Sequence, residues 1–180
     1  MKIVQPIRDP AKIDKMKDYL KSKNERNYIM FLLGITTGLR ISDILKLTKE
    51  DLLKSHVDIT ETKTTKRKRV KIPGYIKKEL VAYANKLDDG DYVVKSRQGA
   101  NKSIDRSTAY RILRDAAEHV NLTEIGTHTL RKTFGYHFYK QTKNIAMLQE
   151  LFNHRDQHVT LQYIGINQDI LDEAMDKYRI

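Results

Sequence analysis

Apolar positions recur at helical spacing along most of this chain and at strand spacing in one short stretch. Asp9-Pro10 puts a capping carboxylate ahead of a proline at the first helical position. Ile13, Met16 and Leu20 then fall on one face of a helix that ends near Lys23. From Asn27 to Thr36 nearly every side is apolar (Tyr28, Ile29, Met30, Phe31, Leu32, Leu33, Ile35), which predicts a buried helix stopped at Gly38. Ser42 to Leu47 predicts a short helix, and Thr48-Lys49-Glu50-Asp51 has the pattern of a capping box opening another turn. The period then changes. Val57 and Ile59, then Val70 and Ile72, alternate with polar residues, which predicts an antiparallel hairpin turning near Thr64-Thr65. Tyr92, Val93 and Val94 suggest a third strand. Tyr75 to Leu87 has helical spacing through Ile76, Leu80 and Val81, and further helices are expected at about 106–120, 129–141, 145–152, 159–165 and 168–178. The pattern predicts one mainly α domain with a small antiparallel β-sheet, an α+β fold.

Composition narrows the class. A chain of 180 residues, 39% hydrophobic and 32% charged, is long enough for one real core and too apolar for wholesale disorder. No apolar run approaches the ~20 residues of a membrane span, and the N-terminus lacks the apolar core of a signal peptide. The expectation is a cytoplasmic protein with no membrane partner. With no Cys, disulfide frameworks, thiolate zinc sites and cysteine nucleophiles are excluded. Charge is the positive clue: 34 Lys and Arg against 23 Asp and Glu leave +11, a field that favours polyanions and nucleic acid first.

Five places hold polar residues that a plain helical domain does not need. Arg40 follows the glycine that breaks the buried helix, so its guanidinium can point back into a cleft. Lys63, Lys66, Arg67, Lys68, Arg69 and Lys71 put six basic residues in nine positions of the hairpin, suited to lie along a phosphate backbone. His128 and Arg131 stand three apart and share a helix face. Asn153, a residue that tolerates the left-handed conformation, precedes His154. Tyr163 follows nine residues later. Taken singly, each has a plainer reading as a solvated or packing residue. Glu150, His154 and His158 have the spacing of zinc ligands on one helix face, but Asn153 and Arg155-Asp156 read as a helix break, so no metal site is expected.

In the order Arg40, Lys63, His128-x-x-Arg131, His154, Tyr163, the chain resembles the catalytic domain of the tyrosine recombinases, the phage integrase family. The matching stretches are Thr37–Leu45, the Lys63 hairpin, Thr127–Thr133 and Leu151–Tyr163, nearly the whole chain. The resemblance implies helices around a small sheet and a reaction that breaks and rejoins double-stranded DNA without metal, ATP or other cofactor. It implies Tyr163 as nucleophile, Arg40 and Arg131 as a clamp on the phosphate oxygens, His154 as a further donor, Lys63 as general acid, His128 as candidate base and Asp43 as an orienting residue. Lys66, Arg67, Lys68 and Arg69 are the expected DNA contacts. Asn153 stands where the family often has Gly, and Asp43 where it has Glu or Asp. The catalytic region starts within the first residues, so the expectation for 1–180 is a single catalytic domain without the N-terminal core-binding domain. The helix within 166–180, with an apolar stripe of Ile170, Leu171, Ala174, Met175 and Tyr178, is expected to dock on its own domain or on a neighbour in a tetramer assembled on DNA. Alternatives are a type IB topoisomerase-like relaxing enzyme and a non-catalytic basic DNA-binding regulator. An RNA-binding accessory fits the charge but lacks aromatics interleaved on strands.

Overall fold

In the computed structural model, residues 4–60, 67–126, 128–166 and 168–179 are described. Local signals start and stop the first helices. The Asp9 carboxylate accepts from the Ala11 amide at 2.9 Å and opens α1 (Pro10–Lys23). Asn24 caps α2 (Glu25–Thr37) by accepting from the Arg26 amide at 3.0 Å. Ile29, Met30, Phe31 and Leu33 are fully buried, so α2 runs through the middle of the core as its all-round apolar sequence requires. It ends at Gly38, whose φ of +66° lies in the left-handed region; a Cβ there would stand 2.4 Å from the Phe134 ring.

The short α3 (Ile41–Ile44) and α4 (Lys49–Leu53) follow. Asp51 accepts from the Thr48 amide at 3.1 Å, the reciprocal bond of a capping box. The sheet has two antiparallel strands, β1 (His56–Thr60) and β2 (Arg67–Lys71), in the register Val57↔Val70 and Ile59↔Lys68. One face of the hairpin buries Val57, Ile59 and Val70 in the core; the other exposes Arg67, Arg69 and Lys71. The turn at Thr64-Thr65 lies outside the described residues.

The third strand is not found among the described residues. Val93 and Val94 are both fully buried, but their hydrogen bonds go to separate partners and form no ladder. The segment is a bent crossing, held by Val93 N–H to Leu47 O (2.8 Å), Tyr83 O–H to Val93 O (2.8 Å) and Ile104 N–H to Val94 O (3.0 Å). Only isolated bridges Thr48↔Tyr92 and Lys95↔Ser103 form there.

Helices α5 (Gly74–Ala84), α6 (Arg106–His119), α7 (Thr129–Thr142), α8 (Ile145–Phe152), α9 (Gln157–Tyr163) and α10 (Gln168–Lys177) complete the domain. Most apolar side chains join one core around α2. A smaller cluster of Leu148, Phe152, Ile164 and Ile166, flanked by Phe134, Tyr139 and Tyr163, ties α8 and α9 onto α7. Helix α10 contacts α7 through an ion pair between Lys140 and Glu173 at 2.9 Å. The expected stripe falls partly on Ile170, Leu171 and Ala174, which lie outside the described side chains; Met175 (72%) and Tyr178 (68%) are solvent-exposed.

Candidate active site

The broken end of α2, the first turn of α7 and the α8–α9 junction meet where the second core cluster reaches the surface. Arg131 is the pivot. Only 4% exposed, it donates through one terminal nitrogen to the Gly38 carbonyl (2.8 Å) and through the other to the Phe152 carbonyl (3.0 Å). Its guanidinium stacks 4.1 Å from the Phe152 ring centroid. One arginine thus bridges the helix stops of α2 and α8. A guanidinium carries five N–H donors, and Arg131 also hydrogen-bonds to the Tyr163 side chain.

Helix α8 ends because Asn153 takes φ 53° and ψ 42°. The His154 amide donates back to Gln149 O at 3.0 Å, closing the turn and turning the imidazole inward. Its Nδ1 lies 3.1 Å from the Thr160 hydroxyl, which itself donates to the Asp156 carbonyl at 3.1 Å. The same break puts His154 in the linker and His158 in α9, so Glu150, His154 and His158 do not share one continuous helix.

Tyr163 closes α9. Its ring meets His154 edge-on (centroids 5.1 Å, 75°), Phe152 (5.6 Å, 80°) and His128 (6.2 Å, 86°). Its hydroxyl lies 3.2 Å from Nδ1 of His128, the residue that caps α7. Burial pushes the phenol up from its usual value; the charges of Arg131 and Arg40 and a hydrogen bond from Arg131 pull it back. Burial lowers both histidines, and nearby cations lower them further: Arg131, Lys132, Arg40 and Arg106 at His128, and Arg131, Arg40 and Lys68 at His154. Both imidazoles are therefore harder to protonate than a free histidine, and an unprotonated His128 can take a proton.

Arg40, half-buried at the start of α3, completes the cationic wall. Asp43 is buried behind it. Desolvation raises its carboxyl, opposed by Arg40, Lys46, Arg131 and a hydrogen bond from the Arg40 backbone. The carboxylate thus lies within electrostatic reach of both Arg40 and Arg131. On β2, Arg67 and Arg69 point outward, whereas Lys68 shares the inward face with Val70 and lies within electrostatic reach of His154. Lys63 and Lys66 lie outside the described residues.

Sequence reasoning missed three contributors. Lys132 stands 5.2 Å over the Tyr163 ring, Thr160 orients His154, and Phe152 offers both ring and carbonyl to Arg131. Lys132 and Thr160 had no local signal beyond their neighbours' positions. Phe152 looked like any apolar helix residue.

The profile of the phage integrase family matches residues 9–169. The chain belongs to that family. Within it, the chain is a tyrosine-type site-specific recombinase. It is 49% identical over 170 residues to the probable integrase/recombinase YoeC of Bacillus subtilis (strain 168), covering 94% of this chain and 93% of that protein. It is 30% identical over 173 residues to a tyrosine recombinase of Pseudothermotoga lettingae, covering 93% of this chain but 59% of that protein. The chain thus spans nearly all of one relative and about three fifths of the other. Among solved structures, XerA recombinase superposes with a TM-score of 0.79 at 22% identity, over 98% of this chain and 67% of that one. The catalytic domain of bacteriophage HP1 integrase gives 0.65 at 21%, over 96% and 95%. The integrase fold expected from the order of the polar residues is the fold observed.

Proposed function

We propose that this integrase-family chain cuts and rejoins double-stranded DNA through a covalent 3′-phosphotyrosyl intermediate on Tyr163, as a site-specific recombinase or integrase. The observation that carries this reading is the Tyr163 hydroxyl, 3.2 Å from His128 Nδ1 and hydrogen-bonded to Arg131 within one chain. The phenol oxygen attacks the phosphorus and its proton passes to His128 Nδ1. The bond from phosphorus to the 5′ oxygen breaks, and that oxygen takes a proton from Lys63, whose role rests on the family resemblance. Attack by a 5′ hydroxyl on the phosphotyrosyl ester reverses the sequence and rejoins the strand. The ester retains the energy of the phosphodiester, so no nucleotide is consumed.

Arg40 and Arg131 bind the non-bridging oxygens, where negative charge gathers in the transition state, and the protonated form of His154 adds a donor. Asp43 orients Arg40. Lys66, Arg67, Lys68 and Arg69 follow the duplex backbone. A related lambda integrase, TM-score 0.71 at 17% identity, is known as a tetramer bound to a Holliday junction. We extend tetramer assembly on DNA to this chain, with the exposed Met175 of α10 and Tyr178 just beyond its end as part of the contact between protomers.

A duplex nicked beside the scissile phosphate tests the proposal, because the released strand diffuses away and traps the ester. A denaturing gel should show a protein–DNA adduct, unaffected by excess chelator, with phosphate on Tyr163. Tyr163→Phe should abolish it while duplex affinity and fold persist. Attachment at Tyr139 or Tyr178, or an adduct in the Phe variant, would sink the assignment. Joining of two marked duplexes separates a recombinase from a topoisomerase-like enzyme, and failure to relax supercoils would favour the regulator.

A further inference from the structure

The segment before α1 carries no signal in the apolar pattern, yet it is built into the site. Ile7 is buried. Its amide donates to the Thr133 hydroxyl at 2.9 Å, and its carbonyl accepts from His137 Nε2 at 2.9 Å. The Gln5 amide donates to Glu124 O at 3.3 Å. Residues 4–8 therefore form a strap fixed across α7.

Two cations run from this strap to the tyrosine. Lys132 donates to the Val4 carbonyl at 2.8 Å and holds its ammonium 5.2 Å over the Tyr163 ring. Burial lowers the Lys132 ammonium from its usual value, as expected for a cation held between strap and ring. Arg8 donates to the Gly165 carbonyl at 2.7 Å, two residues past Tyr163, while its guanidinium lies 5.4 Å from the Tyr136 ring centroid on α7. Gly165 has φ +73°, and a Cβ there would stand 3.1 Å from Gln5 Oε1 and 3.4 Å from Arg8 and Pro6. The end of α9 is a left-handed cap closed by Ile166 N–H to Leu161 O at 3.0 Å, and the strap is seated against that cap.

We infer that strap 4–8 is a positioning element for the tyrosine nucleophile, with Arg8 as its positioning residue acting through the Gly165 carbonyl. This rests on Tyr163 being the nucleophile. The physical basis is orientation. A seven-residue α9 has little stability of its own, so the direction of its last side chain depends on how its end is held. Sub-ångström play in an attacking atom is enough to lower a rate steeply. Arg8 is an exposed residue and contributes no buried side chain to the core, so the fold should survive its removal.

The test uses the full chain as Arg8→Ala and Arg8→Lys. Two readouts are the single-turnover adduct rate at saturating nicked duplex and the amide exchange of residues 161–166. Arg8→Ala should lower the rate by ~10-fold with the duplex dissociation constant within ~2-fold of the parent, because only alignment is lost. Exchange at 161–166 should accelerate, and Arg8→Lys, which keeps a donor, should restore both. Unchanged exchange, or faster exchange with an unchanged rate, overturns the proposal. A loss of duplex affinity in parallel with rate makes Arg8 a DNA contact and also overturns it. If the parent forms no adduct at all, the recombination chemistry fails, while the exchange comparison still decides whether the strap holds the Tyr163 segment.

Discussion

Arg131 bridges two helix ends and, in the proposed reaction, also binds the phosphate, and the two tasks predict different losses. Its bonds to the Gly38 and Phe152 carbonyls lie inside the protein, and lysine can satisfy only one of two acceptors so far apart in direction. Arg131→Lys should cost about 2 kcal/mol in urea denaturation, the scale of one buried carbonyl left unpaired. It should also lower cleavage at least ~10²-fold, the scale of one lost transition-state donor. Arg40 is half-buried where Arg131 is almost fully buried, so Arg40→Lys should lose cleavage on a similar scale with a smaller loss of stability in denaturation. An Arg40→Lys variant destabilised as much as Arg131→Lys would contradict this division of labour. The histidines give a pH test. A base must be neutral to accept the phenol proton, and burial and neighbouring cations hold His128 and His154 below the usual 6.5. The single-turnover adduct rate should therefore fall on acidification with a midpoint below pH 6.5, and a midpoint above that value would exclude these groups as the base.

At the scale of elements, the α8–α9 junction decides where His154 and Tyr163 stand. Asn153 is in the left-handed region at φ 53°, and the turn it makes is closed by the His154 amide and by Gln149 Nε2 donating to His154 O at 3.2 Å. Glycine adopts that conformation without strain, whereas a β-branched residue pays about 1–2 kcal/mol. Asn153→Val should lower the thermal midpoint and slow adduct formation, with Asn153→Gly near the parent in both. Equal behaviour of the two variants would show that the cap does not set the imidazole.

Across the whole molecule, the net charge is +11 and the hairpin exposes Arg67, Arg69 and Lys71 on its outer face, the surface proposed to meet the duplex. If ~5 phosphates are neutralised, log affinity should fall against log salt with a slope near −4 to −5. Changing Lys66, Arg67 and Lys68 together to Ala should flatten that slope, as measured by fluorescence anisotropy from low to moderate salt. A parent whose binding ignores salt would remove the electrostatic basis of the proposed interface.

The sequence by itself determined the elements and the ordered set Arg40, His128, Arg131, His154 and Tyr163, because caps, breaks and hydrophobic period are local and act within a few residues. It located Asp9 and Gly38 as helix punctuation, α2 as a helix buried on every side, and Asn153 as a left-handed stop. It misread Tyr92–Val94, since a short apolar run looks the same whether it lies in a sheet or crosses a core. Only the tertiary structure decided which groups converge. Arg131 reaches carbonyls 93 and 21 residues away, and Arg8 reaches one 157 residues away. It also decided that Tyr163 stands beside the His128 of its own chain, with Lys132 over its ring. Those outcomes depend on how α2, α7, α8 and the N-terminal strap pack against one another, and a periodicity that repeats every few residues carries no record of contacts at that separation.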